Sequence, residues 1–206
     1  QNSREMNSDS LSKIKTEIET HAEHIIHSVM MDKIIHLDEL YEKTDHVSSE
    51  ELTLLPAGAQ ANKKIIELGQ TIKHEILGLV EDAEVLRQWI TLNIPKIEDG
   101  NNFGVGVQED ILAMLVAGKT TGLAFLNNLK AYHIARATMI KKVLKYPNLE
   151  DYQRAVAELD SKQYTHLRNC ARDLRNNYAV LFDMIIKNMD KLKRPKGSNQ
   201  NNSSMY

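Results

Sequence analysis

Three histidines at three-residue spacing, His21, His24 and His27, are the side chains of this 206-residue chain that come nearest to a metal-binding pattern. Imidazole is a common metal ligand, and residues three apart on a helix share a face. At about 100° per residue, however, the three side chains spread over roughly 120°, and no acidic or cysteine partner is set by the sequence. We therefore predict surface and packed-face histidines, with no metal and no other cofactor.

Two further fragments resemble nucleotide and zinc motifs, and each lacks a residue that the chemistry requires. Residues 118–120 (Gly-Lys-Thr) have the ending of a phosphate-binding loop, but the first glycine of that motif is replaced by Ala113. Residues 74–75 (His-Glu) begin like the helix of a zinc protease, but the second histidine is replaced by Gly78. The sequence therefore predicts neither nucleotide binding nor a zinc site.

Cys170 is the only cysteine, and no histidine or asparagine is marked by a motif as its partner. A buried, inert thiol is a better interpretation than a catalytic one. A single cysteine also excludes an intrachain disulfide and favours a reducing compartment, which is the cytoplasm, the nucleus or both, with no secretion. No enzyme motif is complete, so we predict a protein without catalytic activity.

The most specific stretch of the chain is a loop after the second apolar segment. Pro95 lacks an N–H and biases Ile94 away from the helical region, so a preceding helix is predicted to end there. Residues 99–102 (Asp-Gly-Asn-Asn) have turn composition. We expect Gly104 and Gly106 to delay the next helix until about residue 107.

The uninterrupted string Pro-Lys-Ile-Glu-Asp-Gly-Asn-Asn-Phe-Gly-Val at residues 95–105 resembles the activation loop of the 11S (REG) proteasome activators. The likeness continues through Lys-Tyr-Pro at residues 145–147 and Lys-Arg-Pro at residues 193–195, and it extends over roughly residues 65–206. These two signatures are most similar to the gamma-type members of the family. The short first linker lacks the basic run expected of nuclear gamma-type members, so the compartment stays open.

The resemblance implies an ATP-independent activator that forms a heptameric ring of identical subunits around a channel. Its implied partner is the α-subunit ring of the 20S proteasome, to which flexible C-terminal tails bind while the activation loops open the substrate gate. The tail residues are Met205 and Tyr206, with Asn101 expected at the tip of the loop. Carried over to this sequence, the activation loop comprises Lys96, Ile97, Glu98, Asp99, Gly100, Asn101, Asn102, Phe103 and Gly104.

Charge balance and the length of the apolar runs argue against two classes of partner. The 26 basic and 28 acidic residues balance, so no charge field favours nucleic acid. The longest apolar run, residues 111–117, is far shorter than the roughly 20 residues that span a bilayer, so no membrane partner is predicted. The polar opening residues contain no signal-peptide pattern, and the missing initiator methionine leaves an N-terminal truncation open.

Apolar residues at helical spacing predict four long helices in one domain that spans residues 1–206. Leu11, Ile14 and Ile18 begin the packed face of the first helix, and Leu115 and Leu123 belong to that of the third. The fold class is an antiparallel four-helix bundle. Its predicted parts are helix one at about 10–43, a linker at 44–60, helix two at 61–94, the activation loop at 95–106, helix three at 107–146, helix four at 149–193 and a flexible tail at 195–206.

One alternative from another functional class stays open at this point. A helical scaffold or adaptor could use the same apolar faces to recruit partner helices, with no role at a proteasome. An assay of 20S peptidase activity separates the two hypotheses.

Overall fold

The computed structural model describes residues 2–45, 60–96 and 102–196, and every regular element in those ranges is helical. None of these helices combines the length and the apolar character needed to cross a bilayer. In chain order they are α1 (Asn2–His24), a π-helical turn (Ile25–Val29), α2 (Met30–Asp45), α3 (Lys63–Leu92), α4 (Phe103–Lys145), α5 (Glu150–Lys187) and α6 (Met189–Lys193).

Four helical rods lie around one shared core. The first rod contains α1, the π turn and α2, since the backbone stays helical at both junctions, His24 and Met30. α2 packs against α5, α3 packs against α1, α4 and α5, and α4 packs against α5. A tight turn, in which the Leu149 N–H donates to the Tyr146 carbonyl at 3.1 Å, reverses the chain between α4 and α5. The predicted all-α antiparallel four-helix bundle is confirmed.

The first rod begins at Asn2 and ends at Asp45, so it is longer at both ends than predicted. Leu11 and Ile14 were expected in its packed face, yet they are 52% and 50% exposed, and packing begins near Ile18. The π turn then places the neighbours Ile25 and Ile26 in the core together. A π turn contains more residues than an α turn, which shifts the face that follows it.

α3 supplies the most continuous packed face. Asn62 caps its N-terminus, where the side-chain oxygen accepts from the Ile65 N–H at 3.4 Å. Its apolar residues then recur at three- and four-residue steps, and every one on that face is buried. They are Ile65, Leu68, Ile72, Ile76, Leu79, Ala83, Leu86 and Ile90.

α4 begins at Phe103, so the predicted extension of the loop to residue 106 and the predicted helix start at 107 are wrong. The Gly106 N–H donates to the Asn102 carbonyl at 3.0 Å and closes the first turn. Glycine lowers helix propensity, yet Gly104 is helical here and lies against the Pro195 backbone, where a side chain has no space. Phe103 and Gly104 therefore lie at the start of a helix.

The packed face of α4 also differs from the predicted one. Leu115 is buried as expected, whereas Leu123 is 42% exposed, and small and polar residues occupy much of the buried face. Gly122 illustrates the reason, because a Cβ there would lie 3.1 Å from Cγ2 of Ile76 on α3. Glycine at this position allows the two helices to approach closely. A search for apolar residues does not detect such a position. The buried residues are Gly104, Gln108, Ile111, Leu115, Gly118, Gly122, Phe125, Tyr132 and Arg136.

The predicted fourth helix, residues 149–193, is divided in two at Asn188. The Asn188 side chain donates to the Met184 carbonyl at 2.8 Å, and its backbone leaves the helical region at φ −115° and ψ 14°. Asparagine side chains compete in this way with helical hydrogen bonds. α6 then turns so that Leu192 becomes fully buried.

A buried ion pair holds the end of the bundle opposite the loop. Asp160 of α5 is 2% exposed, and its Oδ1 accepts from Arg136 Nε at 2.9 Å and from the Tyr132 hydroxyl at 2.9 Å. Burial, followed by the Asp160 charge, raises the pKa of Tyr132, so this hydroxyl remains a donor. Arg136 also donates through Nη1 to the Gln60 carbonyl at 3.0 Å. The pair thereby joins α4 and α5 to the residues that precede α3.

We expect Arg136→Met to lower the free energy of unfolding by about 3–5 kcal/mol, because it leaves the Asp160 carboxylate buried without its cation. The matched control is Lys187→Met, which removes an exposed pair of 2.6 Å with Asp183 and should change stability by less than about 1 kcal/mol. Urea unfolding at equal protein concentration measures both. Equal urea midpoints for the two variants would contradict a larger contribution of the buried pair to the free energy of unfolding.

Candidate interaction site at the loop end of the bundle

The described segments that lead to the predicted loop and to the predicted tail lie at one end of the bundle. α3 ends there, α4 begins there, and α6 leads to the tail. Lys96, Asn102, Phe103 and Gly104 are described by the structure. The remaining loop residues Ile97, Glu98, Asp99, Gly100 and Asn101 lie outside the described residues, as do the tail residues Met205 and Tyr206.

The base of the loop is held by backbone hydrogen bonds at the end of α3. The Asn93 N–H donates to the Ile90 carbonyl at 3.0 Å, and the Ile94 N–H donates to the Thr91 carbonyl at 3.2 Å. Pro95 follows and cannot continue the helix. The chain therefore leaves α3 in a defined direction before the loop begins.

Gln108 joins the two chain segments that lead to the loop and to the tail. Its side chain is fully buried in the second turn of α4. The Nε2 group donates to the Asn93 carbonyl at 3.3 Å and to the Leu192 carbonyl at 3.0 Å. Asn93 immediately precedes the loop, and Leu192 lies at the end of α6, so one amide satisfies carbonyls from both segments.

Gly104 lies directly against the start of the tail. A Cβ at this position would be 2.1 Å from the Pro195 carbonyl oxygen and 2.7 Å from the Pro195 Cα, which no side chain tolerates. Next along the chain, Lys196 Nζ donates to the Lys96 carbonyl at 3.3 Å. The first residue of the predicted loop and the first residues after α6 are therefore neighbours.

The described residues at this end of the bundle expose several apolar side chains. Phe103 is 71% exposed, and Leu92 and Ile94 are 37% and 38% exposed. Lys193 pairs with Glu23 at 2.5 Å, and this hydrogen bond lowers the pKa of the Glu23 carboxyl. Exposed apolar side chains beside fixed backbone form an apolar contact surface.

The candidate metal and nucleotide residues occupy ordinary helical surroundings. His21, His24 and His27 are all exposed, and the described part of the chain contains no group of three potential ligands suited to a metal ion. Lys119 lies in the middle of α4 and binds Glu84 Oε2 at 3.1 Å. Hydrogen bonds from the Arg87 guanidinium and then from Lys119 lower the pKa of Glu84 to about 2.

Cys170 is buried in α5, with 7% of its surface exposed. Burial, with a smaller contribution from the Asp173 charge, raises the pKa of its thiol to about 12. The thiolate is the reactive form of cysteine, and at neutral pH almost none of it forms here. This geometry supports the interpretation of Cys170 as a packing residue.

We expect native Cys170 to react with iodoacetamide at pH 8 at least about a hundredfold more slowly than the urea-unfolded chain, given the raised pKa and the burial. Mass spectrometry of quenched samples measures the rate. An exposed cysteine introduced by Ser12→Cys provides the control for reagent access in the folded protein. Similar rates for the native and unfolded Cys170 would contradict an inert thiol.

A family model described as "Proteasome activator PA28, C-terminal" matches residues 58–202, a stretch that includes the loop and the end of α6. The chain belongs to the PA28 proteasome activator family. The predicted resemblance to the 11S activators is thereby confirmed. The predicted first linker, residues 44–60, lies almost wholly outside the matched range.

Individual PA28 relatives support the gamma-type resemblance. The chain is 42% identical to human proteasome activator complex subunit 3 over 147 residues, which cover 71% of this chain and 58% of the relative. The chicken protein of the same name is 38% identical over 161 residues, which cover 78% of this chain and 63% of the relative. The chain thus spans about three fifths of the length of these relatives.

Solved structures agree with the PA28 fold. The 11S subunit of the Plasmodium falciparum proteasome, PA28, matches with a TM-score of 0.84 and 28% identity, covering 94% of this chain and 95% of that one. A complex of an archaeal 20S proteasome with a mutated P26 activator matches with a TM-score of 0.76 over 97% of this chain and 99% of that one. At 15% identity, the second likeness shows the fold alone.

Sequence reasoning missed Gln108, Pro195 and Lys196 as members of the site. A signal for Gln108 was available, since it lies three and seven residues before Ile111 and Leu115 on a packed face. A polar residue at an apolar position indicates a buried hydrogen-bonding task. Pro195 and Lys196 gave no such signal, because their partners are about a hundred residues away in the sequence.

Proposed function

We propose that this chain is a subunit of an ATP-independent activator of the 20S proteasome. The tail residues Met205 and Tyr206 bind the α-subunit ring, and the loop from Lys96 to Gly104 contacts the ring beneath the substrate gate and opens it. One observation carries the proposal. The family match includes the loop and the start of the tail, and the bases of both segments are adjacent at one end of the bundle.

The proposed assembly is a homoheptameric ring with bundles side by side. Support comes from apolar side chains that a single bundle leaves exposed, among them Ile35, Val116, Leu123 and Ile134. A groove of about 710 Å³ between α3 and α4 has an apolar lining that includes Ile65, Leu126 and Leu129. Surfaces of this kind are commonly covered in oligomers. Light scattering of such a ring gives about seven times the 23.5 kDa mass of the chain.

The proposed subunit has no catalytic activity of its own and acts only on the proteasome. The absence of a complete enzyme motif in the sequence supports this part of the proposal. Neither nucleic acid nor a membrane is a proposed partner. An intracellular, reducing compartment, the nucleus and/or the cytoplasm, fits both the lone Cys170 and the proposed proteasome partner.

The decisive test of the gate-opening loop is Asn101→Tyr. We expect rings of this variant to assemble, to bind 20S particles and to compete with wild type for them, while stimulation of peptide hydrolysis falls at least about tenfold. The physical reason is that Asn101 belongs to the proposed gate contact, so added volume there alters that contact, while the sequence places it outside the predicted apolar helix faces. Fluorogenic peptide hydrolysis without ATP measures stimulation, and wild-type rings are the reference.

Activation by Asn101→Tyr equal to wild type would overturn the loop assignment. Failure of wild-type rings to stimulate 20S particles would overturn the proposed function itself. That second outcome, together with binding of amphipathic helices by the bundle, would support the scaffold or adaptor hypothesis.

A second test concerns the tail. Deletion of Met205 and Tyr206 should leave the ring intact and reduce its affinity for 20S particles at least about a hundredfold, because seven weak attachments act together through effective concentration. Co-sedimentation with 20S particles measures binding, and light scattering verifies the ring. Replacement of Asn201 and Asn202 by serine keeps the tail length and polarity and is the matched control. Undiminished co-sedimentation of the deletion variant would exclude these two residues as the anchor.

A further inference from the structure

We propose that Gln108, with Gly104, is a positioning joint that fixes the direction of the tail relative to the activation loop. The proposal rests on the proposed function and extends it, because it assigns the relation between the two contact elements to residues outside the tail. Gln108 does not itself contact the proteasome in this proposal. It acts on two backbone segments, one leading to the loop and one leading to the tail.

The hydrogen bonds of Gln108 define this joint. Backbone carbonyls near helix C-termini have no intrahelical partner, and both Asn93 and Leu192 lie at such ends. The two N–H bonds of one carboxamide are used on these two carbonyls, at 3.3 Å and 3.0 Å. Any movement of α6 relative to the end of α3 must break at least one of these bonds.

The role of the Gln108 carboxamide lies in its Nε2 group. Both of its donated hydrogen bonds end on backbone carbonyls, and an apolar side chain of similar volume would leave those two carbonyls without this donor. Gln108 is therefore suited to its position by what its Nε2 group holds in place.

The contact of Gly104 with Pro195 makes the joint rigid from a second side. No space remains between them, since a Cβ on Gly104 would penetrate the Pro195 backbone. Pro195 is buried and has a restricted φ, so its backbone has little freedom to move away from Gly104. The loop begins from Lys96, whose carbonyl accepts from Lys196. Docking of the tail would thus set the position of the loop base on the same surface.

Two pairs of variants test the joint. Gln108→Met removes both donors and keeps a similar volume, and its control is Gln163→Met. Gln163 is also a buried glutamine, 7% exposed, but its Nε2 group has no hydrogen-bond partner and it lies toward the other end of the bundle. Gly104→Ala inserts a methyl group against Pro195, and its control is Gly106→Ala, where a Cβ meets nothing within 4 Å.

The measurements are made on full rings at a temperature at which all four variants are folded. We expect Gln108→Met and Gly104→Ala to raise amide hydrogen exchange in residues 189–196 at least about tenfold. At saturating ring concentration, both should also stimulate 20S peptide hydrolysis at least about fivefold less than wild type. Gln163→Met and Gly106→Ala should match wild type in both measurements. A merely structural role of Gln108 would lower the unfolding midpoint without changing stimulation by the folded ring.

Each outcome decides the proposal. Unchanged exchange in residues 189–196, or unchanged stimulation, for both Gln108→Met and Gly104→Ala would overturn the joint. If wild-type rings fail to stimulate the 20S particle, the proposed function is wrong, and the exchange data alone then decide whether Gln108 holds the two segments together. Equal losses of stimulation in the test and control variants would also overturn the joint, because the effect would then be nonspecific.

Discussion

Burial of the apolar face of α3 is the interaction on which the rest of the structure depends. This helix packs against α1, α4 and α5, and its apolar face is buried from Ile65 to Ile90. Burial of each Leu or Ile side chain contributes about 1.5–3 kcal/mol, so the whole face outweighs any single polar contact in the bundle. Because that face is continuous, the two ends of the bundle are held at a constant separation.

Polar groups have a different task at each end of this apolar column. At one end, the Asp160 and Arg136 pair fixes the chain at Gln60, just before α3 begins. At the other end, Gln108 fixes the chain at Asn93, just after α3 ends, and at Leu192. Buried polar groups satisfied by backbone carbonyls define directions that apolar packing leaves free. Both ends of α3 thus receive their neighbouring segments at defined positions.

The site at the loop end is defined by close backbone packing and exposed apolar side chains. Its described residues combine a glycine without space for a methyl group, a buried proline and exposed apolar side chains. Two ionisable groups nearby, Glu23 and Lys193, are paired with each other. A surface of this type is suited to press on or bind another protein, in agreement with membership of the PA28 family. The proposed division of work between loop and tail comes from the family resemblance, and the contact of Gly104 with Pro195 places the bases of the two segments side by side.

The family and the main packed helical face could be predicted from the sequence alone. The unbroken string at residues 95–105 identified the family, and the spacing of Ile65, Leu68 and Ile72 predicted a buried helical face, because both signals are local. The start of α4, the exposure of Leu123 and the division of the last helix at Asn188 were decided by tertiary structure. Gly104 is the clearest case, since the need for glycine at this helical position comes from Pro195, ninety-one residues away. Local propensities amount to about 1 kcal/mol per residue, and packing between distant segments exceeds them wherever helices end and meet.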